Sequence, residues 1–439
     1  MNTASKALAL FAALTVPALA ATHIAEHVTR ERVAGIDVIV YPTSIKDVIT
    51  IVGALPAGDT VVGEGNIALP SLTAWMLDRG TTTEDQFAIA AKLEAVGADI
   101  RFGTSPQTAW IEARMLKKDL PLVMGLLAEQ LRNPAFRVEE FGKVKQKFEG
   151  WIEQYTIDTE YRAAESYSRL AFPLGHPNRQ YSIDEYRAAL QTATLDDVRA
   201  YHRGHYGPAH LTLVVVGDAD PTLVREQVER AFAGWTGGEP PPPRVVPATL
   251  TAARTDVVQL AGKTSVSVVL GAPTGLQYRD PDALALRVGT AVLGYGATGR
   301  LMGHVRDEQG LTYFIGAYLS DDTFSDGSWE VDASFAPQLL YKGVAATRHE
   351  IESWWKGGIT EKELSARKEG LIGSFRVNLA TTSGIANALL QAVQRGYDLS
   401  WLDEYPDAIN ALTTSQVNAA IKKHLDPTRL VLVEAGTVP

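Results

Sequence analysis

The stretch TLDDVRAYHRGHYGPAHLTLVVVG, residues 194 to 217, returns in altered form as TTSQVNAAIKKHLDPTRLVLVEAG, residues 413 to 436. The two align without a gap at a displacement of 219, which keeps Val198 with Val417, His205 with His424, Pro208 with Pro427, Leu211 with Leu430 and Gly217 with Gly436. Each copy reads as a short helix, a proline-marked turn and an apolar strand. The same order of parts at the end of both halves points to duplication of one unit. Between the halves lies GGEPPPPRVVP, residues 237–247. Its prolines can neither continue a helix nor sit inside a sheet, so it is expected to be an extended connector. The expected division is therefore a leader at 1–20, an N-terminal domain at 21–236, the connector at 237–247 and a C-terminal domain at 248–439.

Working outward, IDVIVYP and DVITIVGALPAG read as neighbouring strands, TEDQFAIAAKLEAVGA as an amphipathic helix, QTAWIEARML as a strand, and LPLVMGLLAEQLRNP as a helix ending before Pro134. The second half carries strands in SVSVVLGAP and WEVDASFAP, with helices over 282–293 and 340–355. The fold class is α+β: two homologous domains, each a mainly antiparallel sheet with helices laid over it. Domains of this kind are expected to face one another across a cleft.

At 439 residues with 46% apolar content, the chain is long enough for about two to four domains. Its formal charge of −10 and the lack of a basic block argue against a nucleic-acid partner. The first twenty residues place Lys6 before an apolar run from Ala7 to Val16, followed by Ala18-Leu19-Ala20. That is the pattern of a cleaved secretory signal, with a mature chain beginning near Ala21. The run is too short for a membrane span, and no later segment is long and apolar enough to be one. Cysteine is absent, which removes disulfide and thiol chemistry and is compatible with a bacterial periplasm.

Histidines are the natural place to look for a metal. His23-Ile24-Ala25-Glu26-His27 spells HxxEH, which on a helix sets two imidazoles on one face with a carboxylate beside the bound water. The position argues for a frayed polar leader instead, because no packed domain precedes it and no third ligand is at hand. His202 and His205 share a helix face but enclose no carboxylate, and His176 sits in the turn PLGHPN; both read as structural. AGKTS at 261–265 lacks the upstream glycine of a phosphate loop, and GYGATG at 294–299 reads as a flexible loop. Residues 304–318, HVRDEQGLTYFIGAY, are more informative. Gly310 can end a helix in the left-handed conformation, leaving Arg306 in the last turns and Tyr313 on the strand that follows. A tyrosine hydroxyl there can donate to an oxyanion, and an arginine can bind a peptide carbonyl or orient the tyrosine.

Several segments together resemble the M16 zinc peptidases: GNIALPSLTAWMLDRGT at 65–81, LRNPAFRVEEF at 131–141, LVVVGDADP at 213–221, GYGATGRLMGHVRDEQGLTY at 294–313 and LIGSFRVNLATTSGIANAL at 371–389. The resemblance implies the LuxS/metalloenzyme-like fold of that family. In its active members HxxEH stands just before a Met-Leu-x-x-Gly-Thr tail. The tail is present from Met76 to Thr81, but the ligand and acid–base positions are Ser71, Ala74 and Trp75. The third ligand, a glutamate, is expected near Trp151, with Glu149 and Glu153 close by. Trp75 is expected to fill the metal's place. The family's C-terminal arginine and tyrosine correspond to Arg306 and Tyr313.

The resemblance therefore implies a chain that holds no zinc and is inactive alone. It would join an HxxEH-bearing partner in a periplasmic heterodimer that cleaves peptides, with Zn²⁺ in the partner. A noncatalytic structural or peptide-binding subunit is the alternative, and an independent metalloprotease built on His23 and His27 is a third class.

Overall fold

Two sheets with one strand order organise the molecule, whose computed structural model describes residues 23–63, 65–238 and 246–439. The expected leader at 1–20 and most of the expected connector lie outside the described residues. The first sheet contains β1 (Thr29–Val33), β2 (Ile36–Pro42), β3 (Val48–Leu55), β4 (Asp99–Thr104), β5 (Ala109–Leu116) and β6 (Thr212–Gly217), ordered β1-β2-β6-β3-β5-β4. The second contains β7 (Arg254–Gln259), β8 (Val266–Pro273), β9 (Thr312–Ser320), β10 (Ser328–Phe335) and β11 (Val431–Gly436), ordered β7-β11-β8-β10-β9. Without β1, the two orders coincide strand for strand. In each sheet a single neighbouring pair is parallel, β2 with β6 and β7 with β11, and every other pair is antiparallel.

The duplicated stretch supplies corresponding parts. Helices Leu195–His205 and Thr414–His424 both begin with a capping box, Thr194 with Asp197 and Thr413 with Gln416, which satisfies two otherwise free amide donors. Gly217 and Gly436 close β6 and β11 at φ 143° and 149°. A Cβ on Gly217 would lie 2.0 Å from the Val48 carbonyl oxygen, and one on Gly436 would lie 2.8 Å from that of Ser265. Glycine is required at both places.

Strand β3 is buried over all but its first residue, because helices cover both faces of its sheet. On one face the helices of its own half build a core around Ile49, Ile51, Leu72, Leu127 and Leu213. The other face is covered from the far half of the sequence, where helix Thr382–Gln394 brings Ile385, Ala386 and Leu389 against Val52, Val214 and Val216. The exchange is mutual. Helix Thr159–Ala171 of the first half lies over the second sheet, with Ala163, Tyr167 and Ala171 against Val269, Val431 and Val433. Each half thus completes the other, so the expected pair of domains is present but neither covers its sheet with its own helices alone.

The expectation about the HIAEH leader is corrected. The HIAEH segment forms a short helix, Ile24–His27, and is docked rather than frayed. Ile24 is buried beside Tyr41 and Leu389, and the backbone N–H groups of Ile24 and Ala25 each donate to the Asp403 carboxylate at 2.9 Å. His176, in the PLGHPN turn, is structural, as its sequence context suggests. Its buried ring contacts Asp326 of the other half through Nε2 at 2.9 Å, while Nδ1 accepts from the Asn178 amide at 3.0 Å. The Asn178 side chain in turn donates to the carbonyls of Asp321 and Asp326, tying the halves together.

Candidate functional site

Helix Leu69–Met76 carries Ser71, Ala74 and Trp75. The Ser71 hydroxyl is engaged with Thr104 at 3.0 Å, and Ala74 is buried with no donor to offer. Trp75 meets Trp151 edge to face at 4.8 Å between ring centroids and Phe148 at 6.0 Å. Trp151, where the third ligand is expected, therefore lies against Trp75, where the resemblance implies an imidazole. Its neighbours Glu149 and Glu153 point to solvent on helix Val138–Thr156, and Glu153 approaches Arg187 at 3.4 Å. A hydroxyl, a methyl and an indole do not make a zinc site. Among the described residues, no group of three or more His, Cys, Asp or Glu side chains could hold a metal ion.

An open aromatic cleft of about 520 Å³ stands at this end of the half. Trp75, Phe102, Trp110, Phe148, Trp151 and Tyr186 contribute walls. Lys147 holds its ammonium 4.3 Å from the Trp75 ring centroid and 5.1 Å from that of Trp151. This cluster was missed in the sequence, although Phe148, Trp151, Ile152 and Tyr155 at helical spacing mark one face. Helical spacing alone describes an ordinary core stripe equally well, so only the fold reveals the open space. Burial also acts on nearby carboxyls: it raises Asp78 above its ordinary range and pushes Asp59 up to about 7.

The other set of expected residues lies in the second half. Residues Met302–Glu308 form a π-helix, wider than the ordinary helix expected there, and Gly310 ends the turn at φ +63°. Such helices are rare and often occur at functional sites. Tyr313 follows on β9, the edge of the second sheet. The β9–β10 pairing jumps from Ile315 with Ala333 to Thr312 with Phe335, so Tyr313 and Phe314 stand opposite the single residue Ser334. This is a β-bulge, which turns side chains out of the regular alternation. Tyr313 is 84% exposed, and the Arg306 guanidinium carbon lies 5.4 Å from its ring centroid. Arg306 also approaches Asp307 at 3.8 Å. The GYGATG segment is held rather than free: Arg367 donates to the Tyr295 carbonyl at 3.1 Å and to the Thr298 hydroxyl at 3.3 Å. Neither Arg306 nor Tyr313 lines the aromatic cleft.

His202, His205 and His424 have structural partners. His202 contacts the Leu131 carbonyl at 2.8 Å, and burial lowers its pKa to about 4, so the ring is neutral. His205 contacts the Tyr201 carbonyl, whereas its counterpart in the repeat, His424, contacts Asp282.

Residues 72–176 match the family described as Insulinase (Peptidase family M16), and residues 192–371 match the one described as Peptidase M16 inactive domain. The chain belongs to the M16 peptidase family. This M16 chain is 26% identical over 363 residues to an uncharacterized zinc protease of Streptomyces coelicolor, covering 79% of this chain and 76% of the relative. It is 24% identical over 385 residues to a non-peptidase homolog of Helicobacter pylori, covering 85% of each. Among solved structures, the peptidase M16 inactive domain from Pseudomonas fluorescens superposes with a TM-score of 0.86 at 22% identity, over 94% of this chain and 98% of that one. The periplasmic protease PqqL from Escherichia coli gives 0.76 at 15% identity, over 95% of this chain and 46% of that longer one. These structural likenesses establish the fold alone.

Proposed function

We propose that this chain is the zinc-free subunit of a heterodimeric M16 metalloendopeptidase and contributes Arg306 and Tyr313 to peptide hydrolysis. The supporting observation is the exposed pair itself, an arginine over a tyrosine ring on a bulged edge strand next to a π-helix. An HxxEH-bearing partner would supply zinc and the carboxylate that activates water. On this chain, the Tyr313 hydroxyl donates a hydrogen bond to the oxyanion that forms as the scissile carbonyl is attacked. Arg306 binds a neighbouring peptide carbonyl and keeps the tyrosine ring in place. The same reading divides the mature chain into domains at 21–236 and 248–439 joined by residues 237–247, exported to the periplasm with a start near Ala21. Lys6, the apolar run from Ala7 to Val16 and Ala18-Leu19-Ala20 support that location.

The test is peptide cleavage by the chain reconstituted with the product of a neighbouring HxxEH-encoding gene. Tyr313→Phe keeps the ring and removes the donor, and a loss on the order of 10² in kcat is expected. Arg306→Ala is expected to divide its effect between kcat and KM. Unchanged turnover and affinity in both variants, with assembly intact, would assign the chain to the second reading, a noncatalytic or peptide-binding subunit. That reading draws support from the degenerate helix Leu69–Met76 and from the relative named as a non-peptidase homolog.

A further inference from the structure

We infer that Arg279, Arg287 and Arg395 form a binding site for a divalent tetrahedral oxyanion of the phosphate class, at the C-terminal end of the exchanged helix Thr382–Gln394. The inference concerns this chain alone and does not require the heterodimer. None of these residues lines the aromatic cleft or belongs to the Arg306–Tyr313 pair. Three segments bring the arginines together. Arg287 stands on helix Ala283–Gly294, Arg279 shortly precedes that helix, and Arg395 caps the exchanged helix. The guanidinium carbons of Arg395 and Arg287 lie 3.6 and 4.5 Å from the centroid of one ring, that of Tyr278. Arg279 approaches from the side of Gly396, where a Cβ would lie 2.8 Å from its Nη1. Gly396 takes φ +72°, so glycine both turns the chain away from the helix and leaves room for the third arginine. Burial raises the Tyr397 hydroxyl above its ordinary range, and Arg395, Arg287 and Arg279 each act against that rise, so all three charges are felt at one point.

The protein answers this charge incompletely. Buried Asp322, in the loop between β9 and β10, forms an ion pair with Arg287. The Tyr278 amide fixes that loop by donating to the Asp322 carbonyl at 2.8 Å. Arg395 donates only from Nε, to the Thr323 hydroxyl at 3.3 Å, and Arg279 has no hydrogen bond or ion pair among the described residues. The adjacent acids do not make up the difference: Asp321 pairs with none of the three among the described residues, and Asp280 accepts from the Gln277 amide at 2.7 Å. An arginine that serves packing alone is paired more fully. Arg300 is such a case, bonded to both Glu363 oxygens at 2.7 and 2.8 Å and to the Gly358 carbonyl at 3.0 Å. Like charges gathered on one ring repel, and burial together with Arg287 lowers Arg395 from the ordinary arginine range. Three guanidinium groups against one paired carboxylate leave two positive charges, which a dianion balances and a monocarboxylate does not. The donors offered to it are the terminal N–H groups of Arg395 and Arg279 and the Thr323 hydroxyl, and planar guanidinium forks suit phosphate oxygens two at a time. Arg279 is exposed and Arg395 half-buried, so the site opens to solvent.

The experiment titrates the purified chain with inorganic phosphate by isothermal calorimetry, at an ionic strength held constant with sodium chloride. Saturable binding at one site is expected, with acetate weaker by about tenfold or more for want of the second charge. Arg279→Gln, at an exposed position that the fold tolerates, is expected to weaken phosphate binding about tenfold, the cost of one charge-assisted partner. Arg395→Lys keeps the charge but loses the fork, and is expected to weaken it severalfold. Phosphate is also expected to raise the melting temperature of the wild type more than that of Arg279→Gln, because only an occupied site stabilises the folded chain. Titration with O-phosphoserine identifies the source of the anion: affinity equal to that of inorganic phosphate assigns the site to phosphate monoesters, and weaker affinity assigns it to the free ion. Absence of saturable phosphate binding, unchanged binding by Arg279→Gln, or acetate bound as tightly as phosphate would overturn the inference. An equal response to chloride would mean an adventitious ion only and would overturn it as well. Because no proteolysis is measured, these results leave the heterodimer reading to its own test.

Discussion

The two exchanged helices perform the same task with different chemistry. Helix Thr382–Gln394 lies on the first sheet through an apolar seam, while helix Thr159–Ala171 lies on the second over a face that also carries acids. The entry points correspond closely. At the first sheet the Thr50 hydroxyl meets that of Thr382 at 2.8 Å, and at the second the Ser267 hydroxyl meets that of Thr159, also at 2.8 Å. Thr50 pairs with Val216 and Ser267 with Ala435, and those partners are again 219 residues apart, so the two contacts are one device used twice. Beyond this point the seams diverge. Tyr167 shares a hydrogen bond with Ser328, and the Glu330 carboxylate accepts from the Ser320 hydroxyl at 2.8 Å. Tyr318 donates to Asp332. Burial pushes both Glu330 and Asp332 up to about 7. The geometry of a duplicated fold is thus retained where the backbone must fit, while the filling of each seam is free to change.

Four measurements would break or sharpen this contrast. The largest effect is expected in the dry seam, where Leu389 is fully buried between the helix and the first sheet. Leu389→Ala should cost about 2–5 kcal/mol, read as a lower midpoint in urea denaturation. A cost well below that range would mean the exchanged helix is not an integral part of the first half.

The wet seam should reveal itself through pH. Glu330 has a folded pKa above its ordinary 4.5, so the folded state holds the proton more tightly than the unfolded chain does. Its contribution is complete below about 4.5 and is lost as pH rises toward about 7. Glu330→Gln should therefore melt closer to wild type at pH 5 and gain on it by pH 7.5, by roughly 2–4 °C. His202 has the opposite slope over the lower part of that window, but it is present in both proteins and cancels in the difference. Parallel melting curves across the range would remove the acid from the account.

Removing one hydroxyl at each entry point gives a graded comparison. Thr50→Val leaves a buried Thr382 hydroxyl unpaired and should cost about 1–3 kcal/mol. Ser267→Ala leaves Thr159, which is partly open to water, and should cost about 1 kcal/mol or less. Equal costs would contradict the difference in solvent access. The smallest effect belongs to Tyr313→Phe in the isolated chain: its exposed hydroxyl has no structural partner among the described residues, so stability should stay within about 0.5 kcal/mol of wild type. A larger loss would give Tyr313 a structural duty and weaken its assignment to chemistry.

Much of this molecule was legible in the chain itself. Alternation and apolar runs located the strands, Gly310 correctly separated the helix of Arg306 from the strand of Tyr313, and the repeat at a displacement of 219 fixed the duplicated plan. That Ser71, Ala74 and Trp75 are not zinc ligands was also legible, because ligand identity is a property of residue type. Tertiary structure decided what those local signals could not carry. The exchange of helices, the docking of Ile24 on Asp403 and the His176–Asp326 contact join residues distant in the chain, 108 positions apart for Thr159 and Ser267 and 379 for Ile24 and Asp403. An apolar helical stripe is the same in sequence whichever sheet it covers, since burial is nondirectional and its periodicity names no partner. The open volume before Trp75 is likewise a property of how whole elements pack, as is the bulge that turns Tyr313 outward, because a register shift depends on two strands and neither encodes it alone.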